Sequence, residues 1–194
     1  NTTGNFNVSM GNQTLRANTT GEKNVAVGYL ASYNNTTGKN NVAIGSGAMQ
    51  NNTFGNSNIA IGEQVLYTNT TGQQNIAIGQ NSLYRSTTAS YNIGLGNQTL
   101  FETTSGQYNF AAGYQAMREN LTGQENIAIG SRLYMTTLLD YIILHLVTNH
   151  YSIILQLLTI HQLVIKLYTL ILQGNLTLHW VTKPYILTLQ ENKT

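Results

Sequence analysis

"NTTGQQNIAIGQNSLYR", residues 69–85, is written again with few changes at 18–34, 35–51 and 52–68. Each copy is 17 residues long with no insertion, and units start at Asn1, Asn18, Asn35, Asn52, Asn69, Ser86, Thr103 and Asn120. The seventh place is Asn in all eight, from Asn7 to Asn126, and the eleventh is always Gly, from Gly11 to Gly130. The fourth is Gly in seven, with Ala89 the exception. A period of this kind is the mark of a repeat architecture.

Seventeen residues are too few for two packed helices, and the Gly and Asn content opposes helix. "NIAIG" reads as a short strand, with Ile76 and Ile78 on one face and Ala77 on the other. The closing Gly suits a corner that needs positive φ. A second short strand is expected at places 13 to 16, as in "NSLY" (81–84). Two strands and two turns make one coil of an all-β parallel solenoid. Coils about 4.8 Å apart give eight of them a length on the order of 40 Å. The Asn at place seven should form a ladder of amides along the stack. The apolar face of each coil is thin, so association of chains is expected.

Composition narrows the function. Only 8% of the 194 residues are charged and the net charge is +2, too little for a nucleic-acid footprint. The absence of Cys excludes disulfides and thiolate metal sites. The chain starts at Asn1 with no signal peptide in view, which reads as a piece of something longer. Residues 1–130 hold 17 of the 18 Gly and no His, Asp, Pro or Trp, and their five Lys and Arg balance five Glu. Those acids are Glu22, Glu63, Glu102, Glu119 and Glu125; only Glu102 and Glu119 share a repeat place and could stack on adjacent coils. A glycosidase needs two carboxylates held about 5–10 Å apart for acid and base roles, and the bland reading of this pair is a solvated face. No catalytic, cofactor-binding or metal-binding residue is expected, and the chain is not read as an enzyme.

"NVAIG" (41–45) and "NIAIG" (58–62, 75–79, 126–130) resemble the repeats of trimeric autotransporter adhesin heads, the YadA-like head family. The fuller wording is similar to repeats in phage and algal-virus tail-fibre proteins. The resemblance covers residues 1–130. It implies a left-handed parallel β-roll in each chain and three chains about a common axis. The familiar head repeat is shorter, near fourteen residues, so the coil geometry departs from it. The expectation is a surface fibre segment, an adhesin head or virion tail-fibre shaft, extracellular, with a spacer or receptor-binding role. Its partners would be two further copies and a host-cell receptor, matrix or glycan; no nucleic acid and no membrane insertion are expected. Binding would use the variable places, 5 and 6 (Gln73, Gln74) and 12 and 13 (Glu63, Gln64). Ala26, Ala43, Ala60 and Ala77 are expected to let strands or chains approach closely.

Two alternatives remain. One is an ice-binding solenoid built on the Thr ranks at Thr19, Thr36, Thr53 and Thr70, although adjacent Thr residues face opposite ways instead of forming Thr-x-Thr. The other is a tail fibre whose enzymatic activity lies elsewhere in the full protein. "NTT" also matches the glycosylation sequon at Asn1, Asn18, Asn35 and Asn69, where one chance sequon is copied by the repeat.

After Gly130 the wording changes but the period survives. Leu155-Gln156, Leu172-Gln173 and Leu189-Gln190 recur every 17 residues, as do Tyr151, Tyr168 and Tyr185. Trp180 followed by Val181 must be encoded TGG-GTN, whose shifted codon is GGT, glycine. "LHWVTKPYILTLQENKT" (178–194) permits "ALGYKALYTNTTGKQN" in the shifted frame. The base count from Gly130 to the first recovered Gly is one short, which places the loss near Ser131–Leu133. Residues 131–194 therefore read as a frameshifted continuation of the repeats, with packing that nothing selected. The apolar run 152–172 carries Lys166, which would cost about 2.5–3.5 kcal/mol at a membrane centre, so it is not read as a span. His145, His150, His161 and His179 lack metal-ligand spacing with acids.

Overall fold

The structure is a computed structural model that describes residues 2–132 and the backbone of three further strands at 144–146, 176–181 and 186–191. Two compact units divide the chain, Asn1–Ile154 and Leu155–Thr194. The first is a parallel β-solenoid with about 17 residues per coil and no helix among the described residues. Its strands are β1 (Val8–Met10), β2 (Val25–Val27), β3 (Val42–Ile44), β4 (Ile59–Ile61), β5 (Ile76–Ile78), β6 (Ile93–Leu95), β7 (Phe110–Ala112), β8 (Ile127–Ile129) and β9 (Leu144–Leu146), paired in sequence order. Every pair is offset by one repeat: Ala60 lies opposite Ala77, and Ile127 opposite Leu144. The solenoid thus runs past the eight written repeats into β9. In the second unit β10 (Leu176–Val181) and β11 (Ile186–Glu191) form an antiparallel pair with Leu178 opposite Leu189.

Each strand has only three residues because Gly at place eleven turns the chain. Gly45 has φ 133°, and a methyl group there would run into the carbonyl of Gly62 on the next coil. No side chain fits between backbones this close.

The second strand expected at places 13 to 16 does not form. Residues 80–85 are a turn in which Asn81 and Leu83 have φ 58° and 51°. The same left-handed pair recurs at Gln64 and Leu66, and at Gln98 and Leu100. An L-residue pays about 1–2 kcal/mol in this region, and the hydrogen bonding explains why it is tolerated. The N–H of Gln64 donates back to Ser46 O at 2.8 Å, whereas that of Leu66 donates forward to Ser82 O at 3.0 Å. Alternating conformations aim successive amides at opposite neighbours, so the turn pairs with both coils as a strand would.

The core is inside the coil and narrow. Place nine (Ala43, Ala60, Ala77) meets place fifteen (Met49, Leu66, Leu83, Leu100, Met117), all fully buried. Of the two approaches expected of these Ala, they serve that of neighbouring strands, Ala60 opposite Ala77, and the one between chains is corrected, because they fill the coil interior.

Polar ladders complete it. Asn58 Nδ2 donates to Gly72 O at 2.8 Å, and its Oδ1 accepts the backbone N–H of Asn75 at 3.0 Å. This pattern joins Asn7 to Asn126 without a break. A second ladder runs at place one, where Asn35, Asn52 and Asn69 each donate to the Asn before, at 2.8, 2.9 and 2.7 Å. A buried amide left unpaired costs about 1–3 kcal/mol, so each Asn is held to its repeat.

Candidate functional site

Strand alternation turns places eight and ten outward. Because place nine is Ala, the bulky aliphatic residues are on the water side. Ile44, Ile61, Ile78 and Ile129 are 38, 36, 40 and 41% exposed. Val42, Ile59, Ile76 and Ile93 form a half-buried row beside them. The outcome is a flat sheet face with two aliphatic rows along the stack.

The rows are flanked by places six and twelve, which are mostly polar: Gln74 and Gln80 on one coil, Ser57 and Glu63 on the one before. Aromatic residues interrupt the flanks at Phe6 on coil one, at Tyr29 on coil two and on coils six and seven, where Tyr91 stacks on Tyr108 at 4.8 Å and Tyr114 is 44% exposed. On coil seven the outward pair is Phe110 with Ala112, a large residue beside a small one.

The variable places lie at the surface. Gln73, Gln74 and Glu63 are exposed and Gln64 is half-buried. They bond along the stack: Gln80 Nε2 donates to Glu63 Oε2 at 3.0 Å, and Asn97 Nδ2 to Gln80 Oε1 at 3.0 Å. On the side away from the strands, Tyr67, Tyr84 and Phe101 stack at 5.1 Å, and Arg118 caps Phe101 at 5.2 Å. Their ring faces are turned to each other, which leaves mainly edges for a ligand.

Three of the five acids are in ion pairs. Glu102 pairs with Arg85 at 3.0 Å, Glu119 with Arg118 at 3.6 Å, and Glu22 with Lys39 at 3.6 Å. Glu102 and Glu119 are each turned to a cation of their own. Among the described residues no three His, Cys, Asp or Glu gather as metal ligands, and no helix is long and apolar enough to cross a membrane. The run 152–172 and the side chains of His145, His150, His161 and His179 lie outside the described residues.

The Thr rank at place two donates its hydroxyls along the stack. Thr36 Oγ1 donates to Thr53 O at 2.9 Å, Thr53 Oγ1 to Thr70 O at 3.0 Å, and Thr87 Oγ1 to Thr104 O at 3.1 Å. Each of these carbonyls also takes backbone N–H groups of the coil before; Thr53 O accepts from Thr36, Thr37 and Gly38. The sequon asparagines are equally engaged: Asn18, Asn35 and Asn69 are buried, each with its Nδ2 on a glycine carbonyl at 3.0–3.1 Å. A folded coil offers none of these three nitrogens to a glycosyl donor; Asn1 lies outside the described residues.

The outward role of places eight and ten is the feature that the sequence reading underused. The clue was place fifteen, apolar in Leu15, Met49, Leu66, Leu83, Leu100 and Met117. That column supplies a core without the isoleucines. Comparison with protein-family models, curated proteins and solved structures finds no match to the chain.

Proposed function

We propose that the chain is a segment of an extracellular fibre, an adhesin head or virion tail-fibre shaft, working as a parallel homotrimer without catalysis. One observation carries the reading: the double aliphatic row on the outward sheet face. At strand spacing the rows cover on the order of 300 Å², a continuous apolar patch of the size that marks an interface. Polar flanks bound it, as a rim bounds an interface core. Coil seven adds a second argument, because Phe110 beside Ala112 keeps the row volume near that of the aliphatic pairs. Water does not require such compensation; a packed partner does.

The resemblance of "NIAIG" to adhesin-head repeats supports three copies and left-handed coils. In the trimer the rows face inward, and places five, six, twelve and thirteen fringe them, where a receptor or glycan is met. The segment after about residue 132 is read as the same repeat in a shifted frame. The register of β9, one repeat beyond β8, supports this, since Leu144–Leu146 lies in "IILHLV" (142–147), which permits "NTAFG" in the shifted frame. Sequencing the codons of 178–181 tests it: a shifted frame without the repeat ends that reading.

Sedimentation of the full chain tests the assembly. Three chains per particle are expected, and Ile61→Glu with Ile78→Glu should give single chains whose circular dichroism stays β. A folded wild-type monomer, or a trimer indifferent to both charges, rules the interface out.

A further inference from the structure

The place-one ladder stops at coil six. Asn69 Oδ1, which should receive the next amide, has no partner among the described residues, because the next residue is Ser86. Ser86 Oγ has none either, and both residues are fully buried. Asn69 Oδ1 and Ser86 Oγ border the break in the ladder, and Thr103 Oγ1, at the same place on coil seven, is unpaired as well among the described residues.

The intact coils define what occupies that position. Asn52 Nδ2 donates to Asn35 Oδ1 at 2.9 Å and to Gly55 O at 3.1 Å. By the repeat, the corresponding acceptors one step on are Asn69 Oδ1 of coil five and Ala89 O of coil six. A methyl group built on Gly55 would lie 2.7 Å from Asn69 Nδ2, whereas one built on Gly72 meets only Ala89 backbone and Asn69 Oδ1 within 3.3 Å. The donor position is not refilled by a side chain of coil six.

Ala89 refills part of the lost volume. It is the single non-Gly at place four, and it occurs in the unit whose place one is Ser. In other coils a methyl at place four would collide with the place-one Asn Oδ1, as at Gly38 with Asn35. The Ser86–Ala89 pair still carries one side-chain heavy atom fewer than an Asn–Gly pair.

We infer that one water molecule is bound here as a permanent part of the rod. It donates to Asn69 Oδ1 and Ala89 O and accepts from the Ser86 hydroxyl. Three bonds are the usual complement of a buried water, and its oxygen restores the missing heavy atom. The three protein partners are neutral, and two of the bonds require a donor, which suits water better than a metal cation.

The test is a crystal structure of the full chain, with oxygen-17 relaxation dispersion in solution, on wild type and on Ser86→Asn with Ala89→Gly. Expected is an ordered solvent peak within hydrogen-bond distance of Asn69 Oδ1 and Ser86 Oγ. In the double variant the introduced amide replaces that peak, and the dispersion loses one long-lived water per chain. Three results overturn the inference: Ser86 Oγ bonded directly to Asn69 Oδ1 with no peak, a peak that persists in the double variant, or a peak that gains electron density when rubidium replaces sodium.

Discussion

Coils two to five and coils six and seven share one rod and one backbone, yet their interiors are built differently. In the first group place one is Asn18, Asn35, Asn52 and Asn69, joined in a ladder, and the place-nine residues are all Ala. In the second, place one is Ser86 and Thr103, place nine on coil six is Gly94, and Thr99 of coil six bonds at 2.7 Å to Ser82 of coil five, where the two groups meet. A methyl on Gly94 would lie 2.6 Å from Ser82 Oγ and 2.9 Å from Thr99 Oγ1. Each departure is thus matched by a second one within reach: Ser86 with Ala89, and the Ser82–Thr99 pair with Gly94. The repeat conserves its filled volume before it conserves its letters, as close packing demands.

The place-seven ladder is common to both groups, so breaking it should do the most harm. Asn58→Ala strands the N–H of Asn75, takes one of two amides from Gly72 O (Asn69 Nδ2 stays at 3.1 Å) and leaves a cavity, and a loss of about 4 kcal/mol is expected from the urea midpoint. A loss under about 1 kcal/mol would mean that water replaces the amide freely.

Gly38→Ala carries the alanine of coil six into coil three. It should cost about 3 kcal/mol, because Asn35 Oδ1 stands in the way and Gly55 O is only 2.5 Å off. Equal stability would show that Ala89 owes nothing to Ser86.

The reverse exchange is milder. Ser86→Asn alone should destabilise, and adding Ala89→Gly should reverse the sign, with a coupling of about 2 kcal/mol in a double-mutant cycle. Additive effects would dissolve the pair.

The smallest change is expected from Ser82→Ala, Thr99→Ala and Gly94→Ala combined, which gives coils five and six the Ala positions of coil three. Replacing both ends of a buried hydrogen bond by apolar groups is close to neutral, so thermal unfolding should shift by no more than about 1 kcal/mol equivalent. Gly94→Ala by itself should be clearly worse.

Much of this architecture was legible in the residues. The unbroken 17-residue register dictated a stack of parallel coils, since only in-register stacking puts Asn on Asn and Gly on Gly. "NIAIG" named the strand, the Gly after it named the corner, and the place-seven Asn named the ladder. Each of these is local or follows from the period, and needs no knowledge of the neighbouring side of the coil.

What the tertiary structure decided was inside and outside. Strand alternation separates Ala77 from Ile76 and Ile78, but both sets are apolar, so polarity could not say which faces the core. The answer came from the width of the coil, which admits Ala opposite Leu83 or Leu66 and has no room for isoleucine. Stacking also overrode the expected second strand, because a turn of alternating hand satisfies the amides of Gln64 and Leu66 on opposite neighbours. A single repeat has no neighbours to bond, so that choice exists only once the coils are stacked.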